Sequence, residues 1–355
     1  VFSRILGWDV FGRFVDKAFA AHAPRFRFEY LNFDTQANST RVPWHKNFGD
    51  GARTRHRLAT LIREKRLVGG DYAAFVFQGH DLGVPFRRYF DRPVGIIADT
   101  TPAITKRRAT LSLGLRSVLK RLWCELEDRF VFRPMFRRVR SFLVLSDYAR
   151  RSLVVDYGVE DSRIFTIGLP VYEQIAALGQ REKPERPVVL FVGNDFVRKG
   201  GQFLLDLYRA HFAKKADLWI VSNGIDAADL EPSIRVFSNI PHAAVLELML
   251  RCHILVFPSF HDELGLVLAE ATCAGLPIIA RQSGGQAEYV KDGENGYLLP
   301  YAAEGPAWRA AIDSILADDG RRARFAAAGA RLGERLCSQR RFDEEISKFL
   351  ACLAA

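Results

Sequence analysis

The sequence predicts an α/β protein of two doubly wound domains. Three observations carry this: the length, the periodicity of the second half, and a fainter version of that periodicity in the first. At 355 residues, 48% of them hydrophobic, the chain exceeds a single ordinary core of about 100 to 200 residues. Its second half alternates short β-branched runs with amphipathic helical patterns, which is how a parallel sheet covered on both faces reads.

In order, PVVLFVG (187–193) reads as a buried strand, GGQFLLDLYRAHF (200–212) as a helix and ADLWIVS (216–222) as a strand. IRVFSNI (234–240) is a strand, HAAVLELMLRC (242–252) a helix, HILVFPS (253–259) a strand, GLVLAEATCAG (265–275) a helix and LPIIAR (276–281) a strand. A short helix ending at Gly293, a strand NGYLLP and mostly helix from Pro306 onward complete this half. In the first half, strands are expected at RFRFEYLNF (25–33), DYAAFVFQ (71–78), RPVGIIAD (92–99) and SFLVLS (141–146). The chain opens on a helical pattern, whereas a doubly wound domain opens on a strand, so a first strand is expected to be missing. The charged, Pro-bearing REKPERP (181–187) is the linker candidate. The expected division is residues 1–180, residues 181–338, and a final helix, 339–355, packing back on the first domain.

The net charge of +10 is uneven: residues 1–170 hold 30 of the 51 Lys and Arg but 17 of the 41 acids. A basic half suits nucleic acid, an anionic membrane or an anionic substrate alike; no nucleic-acid recognition motif is evident. No run of about 18 apolar residues predicts a membrane span, and charges come too early for a secretory signal. Cys124, Cys252, Cys273, Cys337 and Cys352 are scattered, never at metal-ligand spacing, which predicts a reducing, cytoplasmic setting without structural zinc.

Two segments carry candidate chemistry. In VFPSFHDELGLVLAEATCAGLPIIA a strand ends at Pro258, a polar loop follows, and a helix starts near Gly265. Backbone N–H groups at such a start form an anion site, and a carboxylate in the second turn, Glu270, could take a ribose diol. The spacing fits equally well a helix whose dipole Asp262 and Glu263 complement while Glu270 stays in water. In FVGNDFVRKGG (191–201) Arg198 and Lys199 follow a strand's carboxyl end, where a diphosphate would be neutralised. Taken alone, they equally fit an ordinary surface pair.

Together the segments resemble the family-four retaining glycosyltransferases (glycosyl transferases group 1). That family's run of an acid, seven residues, then Glu is matched from Asp262 to Glu270, continuing through Gly275 and Pro277. RQSGGQAEYVKDGENGYLLP carries the family's Gly284, Gly285, Glu288, Gly293 and Gly296 positions. The resemblance implies a GT-B fold of two Rossmann-like domains facing a cleft. It also implies transfer of a sugar, with retention and without metal, from a nucleotide-diphosphate-sugar, UDP or GDP by default, to a hydroxyl acceptor. Lys199 and Arg198 would hold the diphosphate with Gly193, Asn194 and the main chain of Gly265, Leu266 and Val267. Glu270 would hold the ribose and Asp262 the transferred sugar. Asp262 stands where Glu is commoner, and Asn194 where many members carry Arg. No cofactor and no metal are expected, and no Asp-x-Asp motif is evident.

The acceptor side is expected on first-domain loops, with His80 and Asp99 as candidates; each equally suits a turn or helix cap. His261, beside Asp262, is a further candidate. From Lys106 to Arg140, basic residues alternate with Trp123, Phe130, Phe132 and Phe136. This stretch fits an anionic bilayer at the inner membrane face, with a glycan or lipid-linked acceptor, or a helix packed on the core with a basic outer side. Two other functions remain open: a catalytically inactive sugar-nucleotide-binding scaffold, and another GT-B enzyme such as a nucleotide-sugar epimerase or a phosphorylase.

Overall fold

The computed structural model describes residues 14–15, 17–19, 72–79, 92–109, 125–226, 230–260 and 262–355. The expected strand at 25–33, together with His80, Trp123 and His261, lies outside them. The chain forms two compact units, one reaching Ile167 and including Asp343–Ala355, the other Gly168–Phe342. The stretch 181–187 therefore lies inside the second unit, as does the helix Tyr172–Leu178.

The first unit holds a four-stranded parallel sheet in sequence order: β1 (Phe75–Gln78), β2 (Val94–Ala98), β3 (Ser141–Val144) and β4 (Ile164–Thr166). Helix α1 (Pro102–Ala109) follows β2. A π turn (Asp128–Phe132) runs into α2 (Arg133–Arg138), with Pro134 early in the helix where its missing N–H costs nothing. Helix α3 (Asp147–Tyr157) begins where the Ser146 hydroxyl accepts the Ala149 N–H and ends at left-handed Gly158. Phe132, Met135 and Phe136 are buried against Phe142 and Tyr157, while Arg137 and Arg138 are exposed. Residues 132–138 are thus a core-packed helical segment with a basic outer side, and Phe130, just before it, is exposed. Tyr157 lies beneath, donating from its hydroxyl to Asp128 Oδ1 (2.6 Å) and accepting the Ala103 N–H (2.8 Å). Burial first, then the Asp128 hydrogen bond, push its ionisation well above the ordinary tyrosine range.

The second unit begins with α4 (Tyr172–Leu178) and holds six parallel strands: β5 (Val188–Val192), β6 (Asp217–Val221), β7 (Ile234–Phe237), β8 (Ile254–Phe257), β9 (Ile278–Arg281) and β10 (Gly296–Leu299). Their spatial order is β10-β9-β8-β5-β6-β7, the doubly wound order that reverses direction between the first and fourth strands. Val189, Phe191, Leu218, Ile220 and Val256 face a cluster with Leu204, Trp308 and Ile312. The alternate residues Val188, Leu190, Trp219 and Leu255 are buried as well, so both faces of the sheet are covered. Helices α5 (Gly201–His211), α6 (His242–Arg251), α7 (Leu266–Cys273), α8 (Gly305–Leu316) and α9 (Asp319–Cys337) complete the unit. The short helix expected near Gly293 is a 3-10 turn, Gly285–Glu288. The final helix α10 (Gln339–Ala354) reaches the first unit, where Phe349 meets Phe165 edge-on and Arg140 Nε donates to the Cys352 carbonyl (3.2 Å). Among the described residues no helix is long and apolar enough to cross a membrane.

Candidate active site

Where a doubly wound sheet reverses order, the loops leaving the two central strands diverge and open a ligand site at their carboxyl ends. Here those strands are β5 and β8. The loop after β5 is folded by Asp195, whose carboxylate accepts the Arg198 N–H (3.3 Å) and whose carbonyl accepts that of Lys199 (2.9 Å). Gly200 follows with φ of 78°, and a Cβ there would lie 2.6 Å from the Pro258 carbonyl oxygen. The loop after β5 therefore rests directly on the chain leaving β8.

The loop after β8 carries Asp262. Its Oδ2 forms an ion pair with the Lys199 ammonium, and its Oδ1 accepts the Gly265 N–H (3.0 Å). Gly265, left-handed at φ 71°, opens α7. The N–H groups of Leu266 and Val267 belong to the helix's first turn, which has no intrahelical acceptors for them. Asp262 thus serves both the start of the helix, through the Gly265 N–H, and the Lys199 cation, a pairing not expected from the sequence.

A third loop, after β9, fixes the second. Gln286, fully buried, donates from Nε2 to the Asp262 carbonyl (2.9 Å) and accepts the Ser283 N–H (3.0 Å), while Gly285 N–H donates to the Glu263 carbonyl (2.6 Å). Arg281, 2% exposed, donates from Nε to the Pro258 carbonyl (3.2 Å) and from Nη1 to the Tyr301 carbonyl. Its guanidinium lies 4.1 Å from the Phe260 ring centroid and 5.2 Å from that of Trp308. Desolvation lowers its affinity for the proton.

Glu270 is buried, 7% exposed, rather than solvated. Its Oε1 is 2.7 Å from Nε2 of His242, the first residue of α6. Arg198 turns onto Asp195 (Nε to Oδ2, 2.7 Å) on the exposed side of the loop, and this pairing holds the Asp195 carboxyl below its usual range. The structure thus joins Lys199, Asp262 and Gly265 directly, places Glu270 on the helix that Gly265 opens, and gives Arg198 a partner of its own. Gly193 lies under the Lys199 stem, 3.0 Å from Cγ to where a Cβ would sit, and the Asn194 carbonyl packs against Gly224. Sequence reasoning missed His242, Gln286 and Arg281. His242 had a weak signal as a polar residue opening a helix after a strand; the other two read as ordinary loop and strand-end residues.

In the first unit, Asp99 is partly buried at the carboxyl end of β2. Thr100 beside it has a buried hydroxyl without a hydrogen-bond partner, and the buried Gln78 side chain, closing β1, has neither nitrogen nor oxygen bonded. Both lie at the carboxyl end of the sheet, where parallel sheets take ligands.

Two parallel α/β units, one with this cation and carboxylate pair at its switch point, define the GT-B class of architecture. Residues 176–332 match the family model of the glycosyl transferases group 1. Over 167 residues the chain is 29% identical to the D-inositol 3-phosphate glycosyltransferase of Xylanimonas cellulosilytica, covering 42% of this chain and 39% of that one. The chain spans about half the length or less of the first curated relatives it matches. Two solved structures share the fold: sucrose-phosphate synthase from Thermosynechococcus elongatus, with a TM-score of 0.69 and 18% identity over 98% of this chain and 93% of that chain, and HepE from Anabaena, solved with UDP-glucose, with a TM-score of 0.58 and 15% identity over 94% and 89%.

Proposed function

We propose that the chain is a glycosyltransferase that moves a sugar, with retention of anomeric configuration and without a divalent metal, from a nucleotide-diphosphate-sugar to a hydroxyl acceptor. The observation that carries this reading is the Lys199–Asp262 ion pair at the switch point, beside the open first turn of α7. A diphosphate there would draw the Lys199 ammonium and accept from the Leu266 and Val267 N–H groups, leaving Asp262 for sugar hydroxyls. Glu270, steadied by His242, would accept from the ribose diol. As the bond from the anomeric carbon to the diphosphate breaks, its electron pair stays on the phosphate oxygen. The acceptor oxygen bonds to the same face of the carbon, and its proton passes to the departing diphosphate. The protein's share is position and charge. UDP is the first donor base to try, since HepE was solved with UDP-glucose. Asp99, Thr100 and Gln78 supply the acceptor side, for which a glycan or lipid-linked hydroxyl is the class to assay.

The test is a thermal-shift panel of UDP, GDP, ADP and their sugars, then turnover with and without chelator. A ligand at 100 times its dissociation constant stabilises a fold by about 2.7 kcal/mol. If no nucleotide shifts the melting curve, the site assignment fails. If chelator abolishes turnover and manganese restores it, metal independence fails.

A further inference from the structure

The first unit carries a second feature at the opposite, amino-terminal end of its sheet. A cleft of about 340 Å³ opens between the last turn of α2, the residues leading into β3 and β4, and the last turn of α10. Arg137, Arg138, Arg140 and Arg163 line it, with Glu160 the one carboxylate among the lining residues and Cys352 at its margin. Two of these cations have structural duties. Arg163 Nη2 donates to the Phe136 carbonyl (3.2 Å) and to that of Val139, and Arg140 Nε donates to Cys352 (3.2 Å). Both satisfy carbonyls at helix C-termini, which otherwise lack donors.

Those duties leave a surplus. Arg163 Nε is buried with no hydrogen-bond partner. Arg137 and Arg138, exposed at the end of α2, have no carboxylate partner among the described residues. Four guanidinium groups crowd one concavity against a single carboxylate, so the site is short of negative charge. The guanidinium fork matches a phosphate group bidentately, and the volume lies at the small end of ligand pockets.

We propose that this cleft binds a phosphate ester, Arg137 and Arg138 gripping the phosphate while Arg163 Nε supplies a buried donor. The phosphate could arrive on a soluble metabolite or on a lipid headgroup; the chemistry of recognition is the same.

The full chain carrying Lys199→Ala, which disables the phosphate site proposed in the second unit, is titrated calorimetrically with sn-glycerol 3-phosphate. It is also floated with phosphatidylcholine vesicles with and without phosphatidylglycerol. The comparison variant adds Arg137→Ser and Arg138→Ser, both exposed positions, and its melting temperature serves as the folding control. Binding of either probe is expected to weaken by about tenfold or more in that variant, as lost charge-assisted hydrogen bonds require. Glycerol phosphate bound in solution supports a soluble ligand, and binding to phosphatidylglycerol vesicles alone supports a headgroup. Binding of neither probe, or equal binding by both variants with unchanged melting, overturns the proposal.

Discussion

Lys199 and Asp262, 63 positions apart in sequence, are held together at the carboxyl end of the six-stranded sheet, one on the loop after β5 and the other on the loop after β8. Their side chains are 20% and 13% exposed, so the pair is only partly open to water and the loss of one partner leaves a poorly solvated charge. Asp262→Asn separates its two duties, because an amide oxygen still accepts the Gly265 N–H while the charge is gone. Under the proposed function this variant should melt below the parent when free, because the Lys199 ammonium loses its partner. It should still bind nucleotide, whose diphosphate pairs with Lys199, and turn over at least about 100-fold more slowly, as when one preorganised polar group of an active site is removed. Unchanged turnover would remove Asp262 from the site.

Glu270 and His242 give a second test. Truncating His242 to Ala should weaken nucleotide binding and also lower the melting temperature, since it leaves the buried Glu270 carboxylate without this partner. The double-mutant cycle with Glu270→Gln should return a coupling of about 0.5 kcal/mol or more, as contacting groups do. Additive effects within experimental error would show that His242 does not steady the carboxylate.

How much of this was legible beforehand depends on range. The strands of the second unit declared themselves through β-branched runs such as VVLFV, because buried parallel strands need apolar side chains on both faces. The three-residue β4, IFT, is too short to show a period and passed unread as a strand. Glu270 stood out only through the family resemblance of its whole segment, since its spacing to Asp262 fitted a solvated carboxylate equally well, and its burial was not legible, because its partner His242 is 28 positions away. Gln286 and Arg281 were silent for the same reason. A buried amide holding a carbonyl 24 positions back carries no local pattern, and Arg281 looks polar in sequence although aromatic rings enclose it in the fold.

Gly200 should be irreplaceable where Gly293 is merely expensive. Both are left-handed, at φ 78° and 75°, but an added Cβ meets the Pro258 carbonyl at the first and nothing within 4 Å at the second. Gly293→Ala should cost about 1 to 3 kcal/mol, the conformational strain alone. Gly200→Ala should cost measurably more in urea unfolding and also weaken nucleotide binding, because the two loops that carry Lys199 and Asp262 must part. Equal costs would mean that the loops are not pressed together there.

His253 sets a pH dependence in the same unit. Its Nδ1 accepts the Val188 N–H (3.0 Å), locking β8 to β5 at the amino-terminal end of the sheet, so the ring serves in its neutral form. Burial first, and then the charges of Lys183 and Arg322, depress its pKa to about 4, against about 6.5 in an unfolded chain. The neighbouring Cys252 thiol, pushed up by burial, stays neutral throughout. Between these two pH values the unfolded chain takes up a proton that the folded chain refuses, so stability falls as pH drops from about 6.5 towards 4 and this contribution levels off below. Carboxylates titrate over part of the same range, so the measurement is differential. In His253→Asn the amide oxygen can take the place of Nδ1 without titrating, and urea unfolding at pH 5 and pH 7 should show a smaller loss on acidification than in the parent. The same loss in both proteins would mean that His253 ionises in the folded state as readily as in the unfolded one.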